Sequence, residues 1–292
     1  MAAPQYASIF RPDLFADRVA LVTGGGTGIG RCIAHELASL GATVVISGRR
    51  IEPLQACVAE IVHDGGKADF FVLNIRDEVE VDSIIGQIVS KHGALNLLVN
   101  NAGGQFMSGA SEIRPKGWRA VIDTNLNGTF WVSQSVHRHW MNDNGGAIVN
   151  IVADMWNGFP GMAHTGAARA GVVNLTQTLG VEWASQGVRV NAVAPGGILS
   201  SGLHNYTDYI QEVAQTMMKQ NPSARLGTES EVAAAVVFLL SPAAGYITGA
   251  SLRVDGAGSL AKMPMMPMET HSKLPPFTGF HRAADLPSRF AD

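Results

Sequence analysis

The stretch VALVTGGGTGIGRCIAHELASL, residues 19–40, decides how the rest of the chain is read. Its first five residues predict a short buried strand, residues 28–40 predict a helix, and the turn between them carries TGGGTGIG at 23–30. Gly24, Gly28 and Gly30 let backbone N–H groups and the positive end of a helix approach a pyrophosphate with no Cβ in the way, and Thr27 and Ile29 stand in the same loop. A plain turn would use the same glycines, but the strand before and the helix after favour a dinucleotide site. Arg31 follows Gly30 where a nucleotide-hydrolase phosphate loop needs Lys and then Ser or Thr, which disfavours that class.

Outward from this unit, β-branched runs alternate with amphipathic stretches. Further strands are expected at 43–47, 68–73, 95–100, 146–151, 188–193 and 251–255, and helices near 51–63, 77–92, 117–142, 163–185 and 229–240. This is an α/β pattern, a parallel sheet covered on both faces in a single domain over residues 1–258. After Gly258 the composition shifts. Residues 259–292 hold five prolines and the cluster KMPMMPM, and read as an extended tail packed on the surface or on a neighbouring subunit, or else partly closing a substrate site.

The 292 residues are 46% hydrophobic and 15% charged, enough for one sizeable core. A net charge of −3, with no block of Lys and Arg, argues against nucleic acid and anionic membrane as partners. The longest apolar run, Val232 to Leu240, is too short to span a bilayer, and the N-terminus lacks an apolar signal core; a soluble, cytoplasmic protein is expected. The two cysteines, Cys32 and Cys57, fall on expected helices without metal-ligand spacing, so reduced thiols and no metal are expected.

The second strand ends in SGRR, residues 47–50, where a site selective for NAD carries an acid for the ribose hydroxyls. Arg49, assisted by Arg50 or Arg31, is suited instead to the 2′-phosphate of NADP(H), which is favoured over NAD(H). The alternative is that these arginines are solvated loop charges.

TGGGTGIG, NNAG at 100–103, NLNG at 125–128, VRVNAVAPGGI at 188–198 and VDG at 254–256 occur together and in order, and from about residue 17 to residue 258 the chain resembles the short-chain dehydrogenase/reductase family. The resemblance implies a doubly wound Rossmann fold with a seven-stranded parallel sheet, a homotetramer or dimer, and hydride transfer at a nicotinamide. It further implies that Asn74 and Ile75 flank the adenine, that Asn101, Ala102 and Gly103 line the cofactor, and that Pro195, Gly196 and Ile198 contact the nicotinamide end.

In that family a catalytic Tyr precedes a Lys by four residues, and a Ser precedes the Tyr by about thirteen. Here Thr165 and Arg169 stand in the Tyr and Lys positions, Val152 and Ala153 occupy the Ser region, and Asn125 alone of the usual four is unchanged. Thr has no usable ionisation near neutral pH, and Arg169 can hold ribose hydroxyls but cannot give up its proton. The pattern is similar to 2,4-dienoyl-CoA reductases, which places Asp154, Thr165, Arg169, and Gln105 before Phe106 at functional positions. HTGAARAG, GGQF and GFP at 158–160 look like peroxisomal trans-2-enoyl-CoA reductase, and PFTGFHRA in the tail looks like bacterial citronellol or citronellal dehydrogenases.

Reduction of an enoyl thioester puts charge on a carbonyl oxygen, for which Thr165 and the Gln105 amide are candidate donors. Asp154, His164, or water ending at Asn125 are candidates for the α-carbon proton. Against these stand plainer readings: Asp154 as a cap, His164 as a packed ring, Thr165 as a spacer. Met155, Trp156, Phe159 and Met162 are core residues or the wall for an apolar substrate, such as a CoA thioester chain. The leading expectation is an NADP(H)-dependent enoyl-thioester reductase. The alternatives are a terpenoid alcohol dehydrogenase and a silent nucleotide-binding subunit.

Overall fold

A computed structural model describes residues 5–200, 208–261, 269–271 and 273–283. In chain order the principal elements are β1 (Val19–Thr23), α1 (Gly28–Ser39), β2 (Thr43–Gly48), α2 (Ile51–His63), β3 (Lys67–Val72), α3 (Glu78–His92), β4 (Leu97–Asn100), α4 (Pro115–Ile122), α5 (Gly128–Val136), α6 (Asn142–Asn144), β5 (Gly146–Ile151), α7 (Ala163–Glu182), β6 (Val188–Pro195), β7 (Ile198–Leu199), α8 (Asp208–Gln220), β8 (Gly227–Thr228), α9 (Glu229–Leu240) and β9 (Ser251–Val254). Seven strands form one parallel sheet in the order β3-β2-β1-β4-β5-β6-β9. The order reverses at β1, and the crevice between β1 and β4 at their C-terminal ends is where this topology leaves room for a ligand.

Strand periodicity splits each apolar run between two cores. Ala20, Val22, Val44, Ile46, Leu97 and Val99 face α1, α2 and α9, whereas Leu21, Val45, Leu98 and Ile148 face α3, α5 and α7. Both faces are therefore buried, which is why the strands read as continuous rather than alternating hydrophobics. No helix among the described residues is long and apolar enough to cross a membrane.

Differences from the expected elements have local causes. The helix expected at 117–142 starts earlier, at Pro115, whose fixed φ suits a first turn, and continues to Asn144 through two π segments, Asp123–Asn127 and His137–Met141. α3 begins after Asp77, which caps it by accepting from Val79 and Glu80. β4 is shorter than expected because Asn96 is engaged at the strand's entrance, its side chain accepting from the Val19 N–H. The two-residue pair β7–β8 was not expected because it is too short to show a period, and α8 was not expected although Asp208–Gln220 is amphipathic.

Residues 277–283 of the tail lie on the chain's own α1, α2–β3 turn and α9. Phe280 is buried, its N–H donates to Ser230 Oγ, Thr228 Oγ1 donates to the Phe277 carbonyl, and Arg282 Nε donates to Asp64 Oδ2 at 2.8 Å. The Ala7 N–H donates to the Gly279 carbonyl, so the N-terminal segment and the tail meet. The KMPMMPM cluster, 262–268, lies outside the described residues.

Candidate active site

At the crevice the loop after β1 and the loop after β4 are knitted together. Thr23 Oγ1 accepts the N–H groups of Asn101 (3.1 Å) and Ala102 (3.0 Å), and Asn101 Nδ2 donates to the carbonyls of Thr23 (2.9 Å) and Gly24 (3.2 Å). The approach is close enough to require glycine. A Cβ on Gly30 would lie 2.4 Å from both Asn101 Nδ2 and the Gly24 oxygen, and Gly24 itself has φ of +65°.

These loops form one wall of a cleft of about 1010 Å³. Gly24, Thr27, Gly28, Ile29, Gly30, Arg49, Arg50, Asn74, Ile75, Asn101, Ala102 and Gly103 all line it, so the sequence-derived set for the adenosine and pyrophosphate half converges in space. Pro195 ends β6, Gly196 follows it and Ile198 opens β7; none of the three lines this cleft, whose lining residue nearest to them in the chain is Ser200. Arg31 does not join Arg49. It pairs with Glu60 (2.8 Å), donates to the Arg282 carbonyl and lies over the Phe280 ring, so the assisting phosphate role expected of it is corrected. Sequence reasoning missed Arg76 and Thr124, which line the cleft with Arg76 Nε donating to Thr124 Oγ1 at 2.6 Å. The only signal was an arginine two places after Asn74.

At the other end, Asn125 is fully buried in the first π segment. Its Nδ2 donates to the Gly104 carbonyl (2.7 Å) and the Val121 carbonyl (2.9 Å), and its Oδ1 accepts the Gly104 N–H. Arg169 is buried on α7, with Nη1 donating to the Ile151 carbonyl at 2.7 Å. Its Nε lacks a hydrogen-bond partner among the described residues, and burial pulls its pKa down to about 10, still cationic at neutral pH. Asn125 and Arg169 meet at Gly103, where a Cβ would lie 2.5 Å from Arg169 Nη2 and 2.8 Å from Asn125 Oδ1. Beneath them Asn100, Asn150, Ser133 and Thr176 form a buried hydrogen-bonded chain that fixes β4, β5, α5 and α7 relative to one another.

Thr165 is fully buried, and its Oγ1 lies 3.2 Å from His164 Nδ1. Asp154 is half-buried on the loop after β5, and Gln105 is exposed on the loop after β4. Of the aromatics and methionines beyond β5, Met155 is buried and Trp156 stacks on Arg253 at 4.1 Å. Phe159 sits against Gly166 in α7. Away from the cleft, His35, Cys57 and Glu60 bring potential ligand atoms within 4.8 Å of one another, but the Arg31 guanidinium already holds the Glu60 carboxylate. Both cysteines are free and buried, and burial pushes Cys57 up to about 12.

A family model described as enoyl-(acyl carrier protein) reductase matches residues 24–258. The chain belongs to the short-chain dehydrogenase/reductase family. A solved structure titled citronellol catabolism dehydrogenase, from Pseudomonas aeruginosa PAO1, is 48% identical, covers 87% of this chain and 100% of its own, and superposes with a TM-score of 0.79. A Bacillus subtilis (strain 168) protein named as a probable 2,4-dienoyl-CoA reductase is 38% identical over 85% of this chain and 98% of its own. A variant of actinorhodin polyketide ketoreductase, solved with NADPH, is 31% identical over 85% of this chain and 99% of its own, with a TM-score of 0.79. Like other short-chain dehydrogenases/reductases the protein is an oxidoreductase, and its cleft faces the switch point of the family's sheet. Within the family frame it departs at Val152 and Ala153 just after β5, and at Thr165 and Arg169 in the first turns of α7.

Proposed function

We propose that the protein is an NADP(H)-dependent reductase of the carbon–carbon double bond of an enoyl thioester with an apolar chain. The observation that carries this reading is the first turns of α7, where Thr165 is buried and Arg169 is a cation that keeps its proton. Oxidising an alcohol needs a base at the hydroxyl oxygen, and reducing a ketone needs an acid there; neither residue serves. Reduction of a conjugated double bond puts a proton on carbon, which water can deliver, and asks of the protein mainly fixed donors at the carbonyl oxygen.

A dinucleotide fits the residues present: the glycine cradle excludes any Cβ at Gly30, and the buried Arg169 Nε and Ser47 Oγ have no hydrogen-bond partner among the described residues. The nicotinamide, when bound, supplies the hydride. Arg169 and Asn125 would hold its end of the cleft through Gly103, and the glycine loop would hold the pyrophosphate. Arg49 and Arg50 line the adenosine end with no acid among residues 47–50, which supports a 2′-phosphate; Arg76 adds a third guanidinium. The relative solved with NADPH is in keeping with that choice. Phe106, Met107 and Trp156 are exposed near the loops that follow β4 and β5, as an apolar chain would require.

A second reading, oxidation of an acyclic terpenoid alcohol, is favoured by the 48% identity to the citronellol catabolism dehydrogenase and would need Asp154 or His164 as base. The test is nicotinamide absorbance with NADPH and a series of 2-enoyl-CoA esters, beside NADP⁺ with citronellol and geraniol. Oxidation of NADPH by the thioesters alone is expected. Turnover of the alcohols alone would replace this reading by the second, and NADPH binding without turnover of either class would leave a silent nucleotide-binding subunit.

A further inference from the structure

We propose that His164 is a catalytic hydrogen-bond donor at this site, and that Thr165 is the positioning residue that sets its tautomer. The inference rests on the double-bond reductase reading. His164 and Thr165 lie in the first turn of α7 and both are fully buried. The imidazole folds back on its own helix: the Thr165 backbone N–H donates to His164 Nδ1 at 2.8 Å, and Thr165 Oγ1 lies 3.2 Å from the same nitrogen. A backbone amide always carries its hydrogen, so Nδ1 is the acceptor and the single proton of the neutral ring sits on Nε2. Because that N–H is shared with the Met162 carbonyl, at 2.9 Å, the threonine hydroxyl can also donate to the ring.

Nε2 is the other end of this arrangement. It is sealed from solvent and has no hydrogen-bond partner among the described residues. An N–H left unpaired inside a protein is destabilising, and its retention points to an acceptor that arrives from outside. Burial lowers the ring's pKa below the ordinary histidine value, against the Met162 carbonyl, which accepts from the ring only in its cationic form, so the ring is neutral at neutral pH.

The ring that now shields the imidazole is Phe106. It meets His164 edge to face, with centroids 4.4 Å apart and planes at 69°, and its Cζ lies 2.8 Å from where a Cβ on Gly117 would stand. Phe106 is also 41% exposed, and Gly104 and Gly109 on either side of it face open space. The ring thus has room to swing out when an acyl chain enters, which brings a thioester carbonyl to Nε2. As hydride bonds to the β-carbon, the double-bond electrons move to form an enolate. Nε2–H donates to the enolate oxygen without leaving the ring, and water then protonates the α-carbon. One hydride and one proton add across the bond, and the imidazole ends as it began.

Two substitutions and one spectrum test this. His164→Phe keeps a ring against Phe106 but removes the donor, whereas His164→Gln keeps an N–H near the place of Nε2. With NADPH and a 2-enoyl-CoA ester, His164→Phe is expected to lower kcat about a hundred- to a thousandfold with NADPH affinity unchanged, and His164→Gln to recover about tenfold or more. Thr165→Val, which spares the backbone N–H, is expected to lower kcat by about tenfold or less. Histidine nitrogen NMR of the wild-type protein, which needs no substrate, is expected to show His164 protonated at Nε2. An inactive wild type would overturn the reductase reading and this role together. An active wild type matched by His164→Phe would overturn the His164 assignment alone, as would a proton on Nδ1 or a glutamine variant no better than the phenylalanine one.

Discussion

Arg49 lines the cleft at the end of β2, where the chain offers no carboxylate to a ribose diol. Arg49→Asp should weaken NADPH binding by about tenfold or more and NADH far less, checked by fluorescence titration of both; equal losses would remove the 2′-phosphate assignment. The residues of this half were legible in the sequence because the requirement they meet is local: a tight turn, a helix start, an arginine at a strand end. Arg31 shows where that legibility stops. One residue past the glycines it looked like a phosphate ligand, and only the fold reveals Glu60 and the Arg282 carbonyl as its partners. The pairing of Phe106 with His164 was equally hidden, because it joins two loops that no periodicity connects.

Among the elements, the segment 277–283 carries the most unexpected chemistry. Arg282 and His281 both bind Asp64 in the turn after α2, and these hydrogen bonds hold the Asp64 carboxyl well below the usual carboxylate range. A depressed carboxylate pKa stabilises the fold above the ordinary carboxylate range, and that contribution is lost as the pH falls toward the folded value. Asp64→Asn should therefore lower stability by about 1–3 kcal/mol at neutral pH, with the gap to wild type narrowing in acid, as chemical denaturation at several pH values would reveal. The sequence marked the tail by its prolines, but its docking place depends on a buried phenylalanine and on the side chains of Arg31, Asp64, Thr228 and Ser230 from distant parts of the chain. The long helix pattern ending near residue 142 shows the opposite case. Its amphipathic period was readable, whereas the π segment that turns Asn125 inward was not, since an extra residue in one turn leaves only a small phase shift.

For the whole molecule, two buried groups on α1 set opposing responses to pH. Glu36 accepts from Tyr6 (3.1 Å) and Ser8 (3.0 Å), and burial raises its pKa from 4.5 to about 7. The unfolded chain ionises first, so stability is lost as pH rises from 4.5 through 7. Next to it on α1, burial lowers His35 from 6.5 to about 4, so the unfolded chain takes up its proton first and stability is lost as pH falls from 6.5 to 4. Between 4.5 and 6.5 the two slopes offset each other. Glu36→Gln should remove one of them: little change near the acidic end, and a gain of up to about 3 kcal/mol above pH 7, measured by urea denaturation. The sheet, its parallel sense and its two cores were legible from apolar runs and motif order, because those follow from burial on both faces. Buried ionisable groups were not, because a Glu or His on a helix reads as surface until its neighbours are known.

The backbone hydrogen bond from Ala7 to Gly279 has an engineering consequence. It brings two segments 272 residues apart in the chain side by side. A short peptide joining residue 283 to residue 5, with a new opening cut at an exposed turn such as that at Gly93 after α3, should yield a circular permutant that retains the sheet order, since neither the crevice nor the strand pairing depends on where the ribosome starts.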